Sequence, residues 1–172
     1  MGRFERAELE EALANYNTVV EKCSETGEWS PFADLFTEDV EYIEHAYGTF
    51  HGREEVRAWI LDVMAPFPHM RFEHRWTAFD DDHDAVVICI SNVLDHPTDP
   101  GIHFGFPNIT RLVYAGSGLF SSEEDVYNPA RDAPRVVGEW LQAGGTLRTA
   151  PKREMKHVVT NLPNDQPAGP AA

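Results

Sequence analysis

An acidic residue inside an aromatic strand is the most chemically suggestive feature of this sequence. Glu44 lies between Glu41 and Gly52, among Tyr, Ile and Phe side chains. A carboxylate in such surroundings loses hydration, which disfavours its charged form and raises its pKa. A carboxyl group tuned in this way can act as a general base near neutral pH. Because Glu41 and His45 alternate with Glu44, a solvated face is the competing interpretation.

A second set of candidate groups lies on the last predicted strand. Glu123, Asp125 and Tyr127 alternate along the chain, so all three share one face of that strand. If this face points inward, an acid and a phenol lie beside Asn108 or Thr110 of the neighbouring strand. If it points outward, the two acids line a solvated edge.

Histidine supplies two further candidates, because imidazole titrates near neutral pH. His74 shares a predicted strand face with Trp76, and His103 lies between Gly101 and Phe104 in a predicted loop at the mouth of a pocket. Each also has an ordinary interpretation, as a buried hydrogen-bonded histidine and as a surface loop histidine.

Metal and nucleophilic chemistry are not indicated by the spacing of the side chains. The eight histidines and two cysteines form no His-x-His or Cys-x-x-Cys pair, so no metal site is predicted. The sequence has no Gly-x-Ser-x-Gly elbow, and Gly116-Ser117-Gly118 is interpreted as a hairpin turn, not a phosphate-binding loop.

Hydrophobic periodicity predicts the elements that position these groups. Apolar residues from Leu9 to Cys23 recur at spacings of four and three, which indicates an amphipathic helix ended by Gly27. The remaining predicted elements are a short helix after Ser30-Pro31, a strand 40–47 preceded by a break at 37–39, a helix from 52 ended by Pro66, strands 70–79, 85–94, 108–114 and 119–127, and a helix 135–142.

This order of elements predicts an α+β fold. We expect a cone-shaped half-barrel, in which a curved and mostly antiparallel sheet wraps over three N-terminal helices. A ligand would occupy the interior of such a cone. Residues 1–143 are expected to form the single domain. Residues 144–172 are rich in Pro, Gly, Lys and Asn, and they are expected to be a poorly ordered tail or to pack on a partner.

Composition limits the partners. The net charge of -15 argues against nucleic acid and against an anionic membrane surface, and favours an uncharged or weakly polar small molecule. Cys23 and Cys89 are interpreted as small buried hydrophobes and not as a disulfide framework. No apolar signal core or membrane-spanning run is present, so a cytoplasmic location is expected.

Several short segments of the sequence, taken in their order along the chain, resemble those of a known protein family. They are Trp29-Ser30-Pro31-Phe32-Ala33-Asp34-Leu35-Phe36, Tyr47-Gly48 at a strand end, His51-Gly52-Arg53-Glu54-Glu55-Val56, Trp76 before an acidic turn, Tyr114-Ala115-Gly116-Ser117-Gly118, and Glu123-Glu124-Asp125-Val126-Tyr127-Asn128-Pro129. Over approximately residues 9–140 the chain resembles the SnoaL-like branch of the nuclear transport factor 2-like, or ketosteroid isomerase-like, superfamily. That superfamily includes isomerases, polyketide cyclases, epoxide hydrolases and scaffold proteins, so the fold does not settle the function.

The resemblance implies roles for particular residues. Glu44 looks like the carboxylate with which ketosteroid isomerases move a proton between carbons, and Tyr16 is placed like their oxyanion-donating tyrosine. Their partner acid falls near Thr110, which is not an acid. Asp125 resembles the aspartate of SnoaL-like cyclases, and His103 is a looser match to their histidine. The resemblance also implies a homodimer through the outer face of the sheet.

These residues and the resemblance predict two alternative functions, which belong to different classes. The first is a cofactor-free isomerase or cyclase acting on a ketone, steroid-like or polyketide-like substrate. Glu44 or Asp125 would remove a proton α to a carbonyl, while Tyr16, Tyr127 or His103 donates to the enolate oxygen. The second is a non-catalytic ligand-binding or dimeric assembly module, which the missing partner acid favours.

The remaining predictions concern the residues that bind the substrate and a third function, which the sequence favours less. The residues expected to bind the substrate are Tyr42, Trp59, His74, Trp76, Asn108, Thr110 and Tyr127. Water addition to an epoxide would need an Asp-Arg-Asp cluster, but Arg75 and Arg111 are expected to pair with surface acids.

Overall fold

A curved, unclosed sheet of six strands forms the framework, with helices packed against it, which confirms the predicted α+β fold. The computed structural model describes residues 2–155. The elements are α1 (Arg6–Thr26), a 3-10 helix (Ser30–Leu35), β1 (Phe36–Glu44), β2 (Gly48–His51), α2 (Arg53–Met64), β3 (Arg71–Asp80), a second 3-10 helix (Asp81–His83), β4 (Ala85–Asp95), β5 (His103–Gly116), β6 (Leu119–Val126) and α3 (Asp132–Gln142).

The strands are arranged in the order β2-β1-β6-β5-β4-β3. The pair β1–β6 is parallel, and the other four pairs are antiparallel. The first strand therefore joins the last in the middle of the sheet. This arrangement brings residues from the two ends of the domain into one cluster.

Helix α1 has clear signals at both ends. Glu5 and Glu8 form a reciprocal capping box at its start, and Gly27 ends it in the left-handed conformation with φ of 75°. Its buried face carries the predicted apolar series, with Tyr16 at its centre. The sequence pattern therefore determines which face of α1 lies against the sheet.

The predicted strand 40–47 covers the second half of β1 and the turn that leads to β2. Strand β1 already begins at Phe36, so residues 37–39 do not form a break. An irregular register with β6 between Phe36 and Glu41 accommodates them instead. The chain then reverses after Glu44, whose Oε2 accepts hydrogen bonds from the amides of Ala46 and Tyr47, both at 2.7 Å. The same carboxyl group thus shapes the turn and faces the sheet interior.

A β-bulge in β3 changes which side chains face inward. The register with β4 shifts between His74 and Trp76, so Trp76 lies opposite Cys89 on the outer face. The expected face shared by His74 and Trp76 is therefore wrong. A period-two pattern cannot reveal the extra residue of a bulge.

Part of the predicted tail packs against its own domain. The Arg148 amide donates to the Pro66 carbonyl at 2.7 Å, and Lys152 and Arg153 form ion pairs with Asp62 of α2. Met155 packs on the small cluster around Phe106. The remaining tail, residues 156–172, lies outside the described residues. Within residues 2–155 no helix is long and apolar enough to cross a membrane.

Candidate active site

The pairing register of β1, β6 and β5 brings the residues of the site together. Tyr42 of β1 lies beside Glu123 of β6, and Glu44 lies beside Asp125. Thr110 of β5 lies opposite Asp125 on the other side. These residues occupy alternate positions that face the helices, so three adjacent strands present polar groups to one interior space.

That space is a cavity of about 720 Å³. Its walls are mostly apolar and aromatic, and they come from α1, the loop that follows it, α2, β3 and β4. Examples are Val20, Trp29, Trp59, Ile60, Phe72 and Ile88. The polar cluster on β1, β5 and β6 forms the remaining part of the lining. A large apolar cavity with a few converging polar groups is the usual form of a small-molecule site.

Asp125 accepts three side-chain hydrogen bonds in the cavity. Its Oδ1 accepts from the Thr110 hydroxyl at 2.5 Å and from the Asn108 amide at 2.8 Å. Its Oδ2 accepts from the Tyr42 hydroxyl at 2.6 Å. Burial raises the pKa of Asp125, whereas these three donors stabilise its charged form and oppose that shift.

Glu123 lies deeper and has fewer donors. It is 1% exposed, and its Oε1 contacts the hydroxyls of Tyr16 at 3.1 Å and Tyr42 at 3.0 Å. Its Oε2 is buried and has no hydrogen-bond partner within residues 2–155. Burial, reinforced by the charge of Asp125, raises the pKa of Glu123 well above its ordinary value.

The proton count of this cluster indicates which acid is neutral. Tyr42 contacts both Asp125 and Glu123, but a phenol has one proton to donate. The second contact is a hydrogen bond only if one of the two acids is protonated and donates to the Tyr42 oxygen. Asp125 has three donors to hold its charge, so we infer that the proton resides on Glu123.

Glu44 is a third buried acid, 3% exposed. Two backbone amides and the Tyr127 phenol hydrogen-bond to its carboxylate. Burial is the largest influence on its pKa, which it raises, and the nearby charge of Asp125 acts in the same direction. A carboxylate that is still ionised but has a raised pKa is better suited to accept a proton than an ordinary surface Glu.

The protonation of Glu123 should be visible in the stability of the protein. A carboxyl group whose folded pKa exceeds its unfolded pKa contributes stability that is complete below the unfolded pKa and is lost as pH rises through the folded pKa. We expect the free energy of unfolding to fall by up to about 1.4 kcal/mol per pH unit, above about pH 5, until Glu123 has ionised. Glu123→Gln should flatten this slope in urea unfolding measured across pH.

The control for that experiment is Glu124→Gln. Glu124 is the adjacent residue on β6, and it forms an exposed ion pair with His45. This variant should keep the slope of the parent protein. Equal slopes for the Glu123→Gln variant and the parent would show that Glu123 is ionised throughout.

Most residues predicted for the site line this cavity. They are Tyr16, Tyr42, Glu44, Trp59, His74, Asn108, Thr110, Asp125 and Tyr127. His74 also contacts the Thr77 hydroxyl through Nε2 at 2.7 Å. The sequence places Glu123 on the same strand face as Asp125 but does not by itself assign it a role in the site. The two-residue spacing from Asp125 is the sequence signal that could include it.

Two predicted site residues lie outside the cavity. Trp76 is on the outer face of the sheet because of the bulge in β3. His103 is not in a mouth loop but is the first residue of β5, where its Nδ1 lies 2.7 Å from Asp95 Oδ1. Its side chain is 45% exposed. Neither residue is brought to Glu44, Glu123 or Asp125.

Comparison with models of known protein families shows which family this chain belongs to. A family model described as a SnoaL-like domain matches residues 16–116, more than half of the sequence. The chain belongs to the SnoaL-like family. The wider nuclear transport factor 2-like group to which this family belongs includes isomerases, cyclases and ligand binders. No curated protein matches the sequence.

Solved structures agree on the fold of this SnoaL-like chain. A steroid delta-isomerase from Pseudomonas aeruginosa is 14% identical with a TM-score of 0.56, over 83% of this chain and 94% of that one. An LEH-like epoxide hydrolase from M. tuberculosis is 12% identical with a TM-score of 0.59, over 80% and 94%. SalBIII, an epoxide hydrolase/cyclase-like enzyme of pyran ring formation in salinomycin, is 16% identical with a TM-score of 0.56, over 73% and 94%. At these identities the similarity shows the fold alone.

Proposed function

We propose that this protein is a cofactor-free enzyme that moves a proton within a small, largely apolar substrate carrying a carbonyl oxygen. The observation that carries the proposal is the bridge from Glu123 through Tyr42 to Asp125, which requires one protonated acid. Glu44, an acid with a raised pKa, lines the same cavity. One cavity therefore holds both a proton donor and a proton acceptor.

The roles follow from the hydrogen bonds. The Glu44 carboxylate takes a proton from the carbon next to the carbonyl, and the electron pair of the broken C–H bond moves onto the carbonyl oxygen. Glu123 turns its O–H from the Tyr42 oxygen to the substrate oxygen as charge develops there. Glu44 then returns the proton to a different carbon, which completes an isomerisation. In a cyclisation, the enolate carbon attacks an electrophile within the same molecule before the proton is returned.

Asp125 serves as a fixed charge in this scheme. Thr110 and Asn108 hold its Oδ1, so it can orient Tyr42 through Oδ2 without moving. Its charge also keeps the proton on Glu123. Tyr16 donates to Glu123 and Tyr127 to Glu44. These two phenols position the acids instead of contacting the substrate oxygen directly.

The test of this function uses hydrogen exchange and does not require the natural substrate. A panel of cyclic and aromatic ketones is incubated with the protein in D₂O, and loss of the α-proton signals is followed by NMR. Tryptophan fluorescence reports binding, because Trp29 and Trp59 line the cavity. We expect the protein to accelerate exchange for ketones that bind, relative to the same protein unfolded in urea. Ketones that bind without accelerated exchange would instead support a non-catalytic ligand-binding module.

We also propose that the protein forms a homodimer through the outer face of its sheet. Trp76, Cys89, Ile109 and Val126 occupy one register row across β3, β4, β5 and β6. Trp76, Ile109 and Val126 are 46%, 40% and 47% exposed, which leaves an apolar row uncovered.

Charges beside this row suit a second copy of the chain. Arg111 lies opposite Glu124 in the register and forms no ion pair with any residue from 2 to 155, because Glu124 pairs with His45. In a two-fold interface, Arg111 of each copy could meet an acid of the other. We expect a dimer in sedimentation equilibrium and a monomer for Trp76→Glu. Ile102→Glu, which changes an equally exposed residue away from the row, should remain dimeric. A monomeric parent protein would disprove the interface.

A further inference from the structure

The three buried acids of the cavity form no ion pair with any residue from 2 to 155. Glu44, Glu123 and Asp125 are 3%, 1% and 8% exposed, and every hydrogen bond they receive within residues 2–155 comes from an uncharged hydroxyl, amide or phenol. Buried carboxylates in proteins are normally paired with a cation. Glu44 and Asp125, the two acids inferred to be ionised, face one cavity without such a partner, which is an unusual arrangement.

The basic side chains nearby are already neutralised. Arg71 lines the cavity, but its guanidinium binds Asp95 and Glu73, with shortest contacts of 2.6 Å and 2.9 Å. Arg153 of the C-terminal segment pairs with Asp62 at 3.2 Å. Glu21 and Glu25 also line the cavity, and Glu73 and Asp95 share the single charge of Arg71. The lining is therefore acidic beyond Glu44 and Asp125.

We propose that the ligand of this cavity is an organic cation, a protonated or quaternary amine, whose charge lies beside Glu44 and Asp125. This inference deepens the proposed function and rests on the same cavity. It replaces the uncharged or weakly polar ligand that composition favours, because the net charge of the chain could not show where the acids lie. A metal ion is a poorer occupant, since no group of three or more His, Cys, Asp or Glu within residues 2–155 has the arrangement of a metal site.

The aromatic lining is also suited to a cation. The rings of Tyr42 and Trp59 lie 4.7 Å apart between centroids, and both line the cavity together with Trp29. Indole and phenol faces attract ammonium groups, most strongly where water is excluded. The same rings provide apolar contact for the rest of the ligand.

The proposed reaction gives the ligand a second feature. Proton removal by Glu44 requires a carbonyl oxygen that takes up the charge of the broken C–H bond. An amino ketone combines this carbonyl with a positive charge. Its ammonium group also acidifies the neighbouring C–H bond, which is the bond that the proposed reaction breaks.

The test compares two probes of the same shape. Benzyltrimethylammonium carries a positive charge, and neopentylbenzene has a carbon atom in place of the nitrogen. Binding to the full-length protein is followed by tryptophan fluorescence and confirmed by calorimetry. We expect the cation to bind at least tenfold more tightly than the isostere, although the isostere is the more hydrophobic of the two.

Variants of two acids on β1 test where the positive charge of the ligand lies. Glu44→Gln should weaken binding of the cation at least fivefold and leave binding of the isostere unchanged. Glu41→Gln changes an exposed acid of the same strand and should affect neither probe. Equal or tighter binding of the isostere by the parent protein would overturn the inference, and so would an unchanged preference in the Glu44→Gln variant. Either result leaves the ketone exchange assay to decide the proposed reaction separately, because simple ketones carry no charge.

Discussion

Glu44→Gln is expected to lower the rate of ketone α-proton exchange by about 10²–10⁴-fold while leaving the fold intact. A carboxamide oxygen can still accept the amide hydrogen bonds of Ala46 and Tyr47, which form the turn after β1. The new NH₂ group can donate to the Tyr127 oxygen. The turn is therefore preserved, but the side chain can no longer accept a proton from carbon. The measurement is the NMR exchange rate with the ketone that the parent protein exchanges fastest.

Glu41→Gln is the matched control for this experiment. Glu41 is on the same strand, three residues earlier, but its carboxylate is exposed and lies 3.9 Å from His51. Its replacement should leave exchange unchanged. If Glu44→Gln kept the parent rate while its circular dichroism spectrum and urea midpoint were also unchanged, Glu44 would not be the base. Asp125 would then be the remaining candidate base among the three buried acids of the cavity.

The fold was predictable because its signals are local. The apolar series of α1 and the glycine that ends it place Tyr16 against the sheet without reference to the rest of the chain. The alternation in β6 likewise puts Glu123 and Asp125 on one face. Both patterns repeat over several residues, so a single exception does not obscure them.

Pairing between distant strands was less predictable. The parallel contact of β1 with β6 joins residues about 80 positions apart, as in Tyr42 with Glu123. This contact places Tyr42 beside Glu123 and Glu44 beside Asp125. Whether a polar strand face is buried depends on the distant elements that pack against it, and no local pattern contains that information.

Departures from the predicted strand geometry explain why Trp76 and His103 do not lie where the sequence predicts. The bulge in β3 carries Trp76 to the outer face, and the early start of β5 places His103 in an exposed ion pair. The bulge adds one residue to β3, and β5 begins five residues before the predicted position 108. Because side-chain direction in a strand has a period of two, the extra residue of the bulge is enough to reverse the predicted side of Trp76.

The site combines two kinds of acid on one sheet. Burial raises the pKa of all three acids, and the uncharged donors around Asp125 oppose that shift at Asp125. Beyond burial, the charge of Asp125 raises the pKa of Glu123 and of Glu44, its neighbour in the register. The chemical states of all three acids are thus coupled through Asp125.

Glu123→Gln is expected to reduce kcat by about 10²–10³-fold, the size of effect seen when one donor to a developing oxyanion is removed. The variant side chain still has a hydrogen-bond donor and an acceptor for the contacts with Tyr16 and Tyr42, but it cannot transfer a proton. Because the interaction strengthens as charge develops on the substrate oxygen, KM should change much less than kcat. Steady-state exchange rates at increasing ketone concentration separate the two constants.

Glu124→Gln again serves as the control, since its side chain lies on the opposite face of β6 and pairs with His45. It should retain the kcat and KM of the parent protein. A Glu123→Gln variant with unchanged kcat would show that the substrate oxygen is not held by Glu123. A variant with raised KM and unchanged kcat would assign Glu123 to binding alone. The pH dependence of stability then distinguishes the remaining explanations, because a neutral Glu123 that takes no part in the reaction would still give the parent protein its slope.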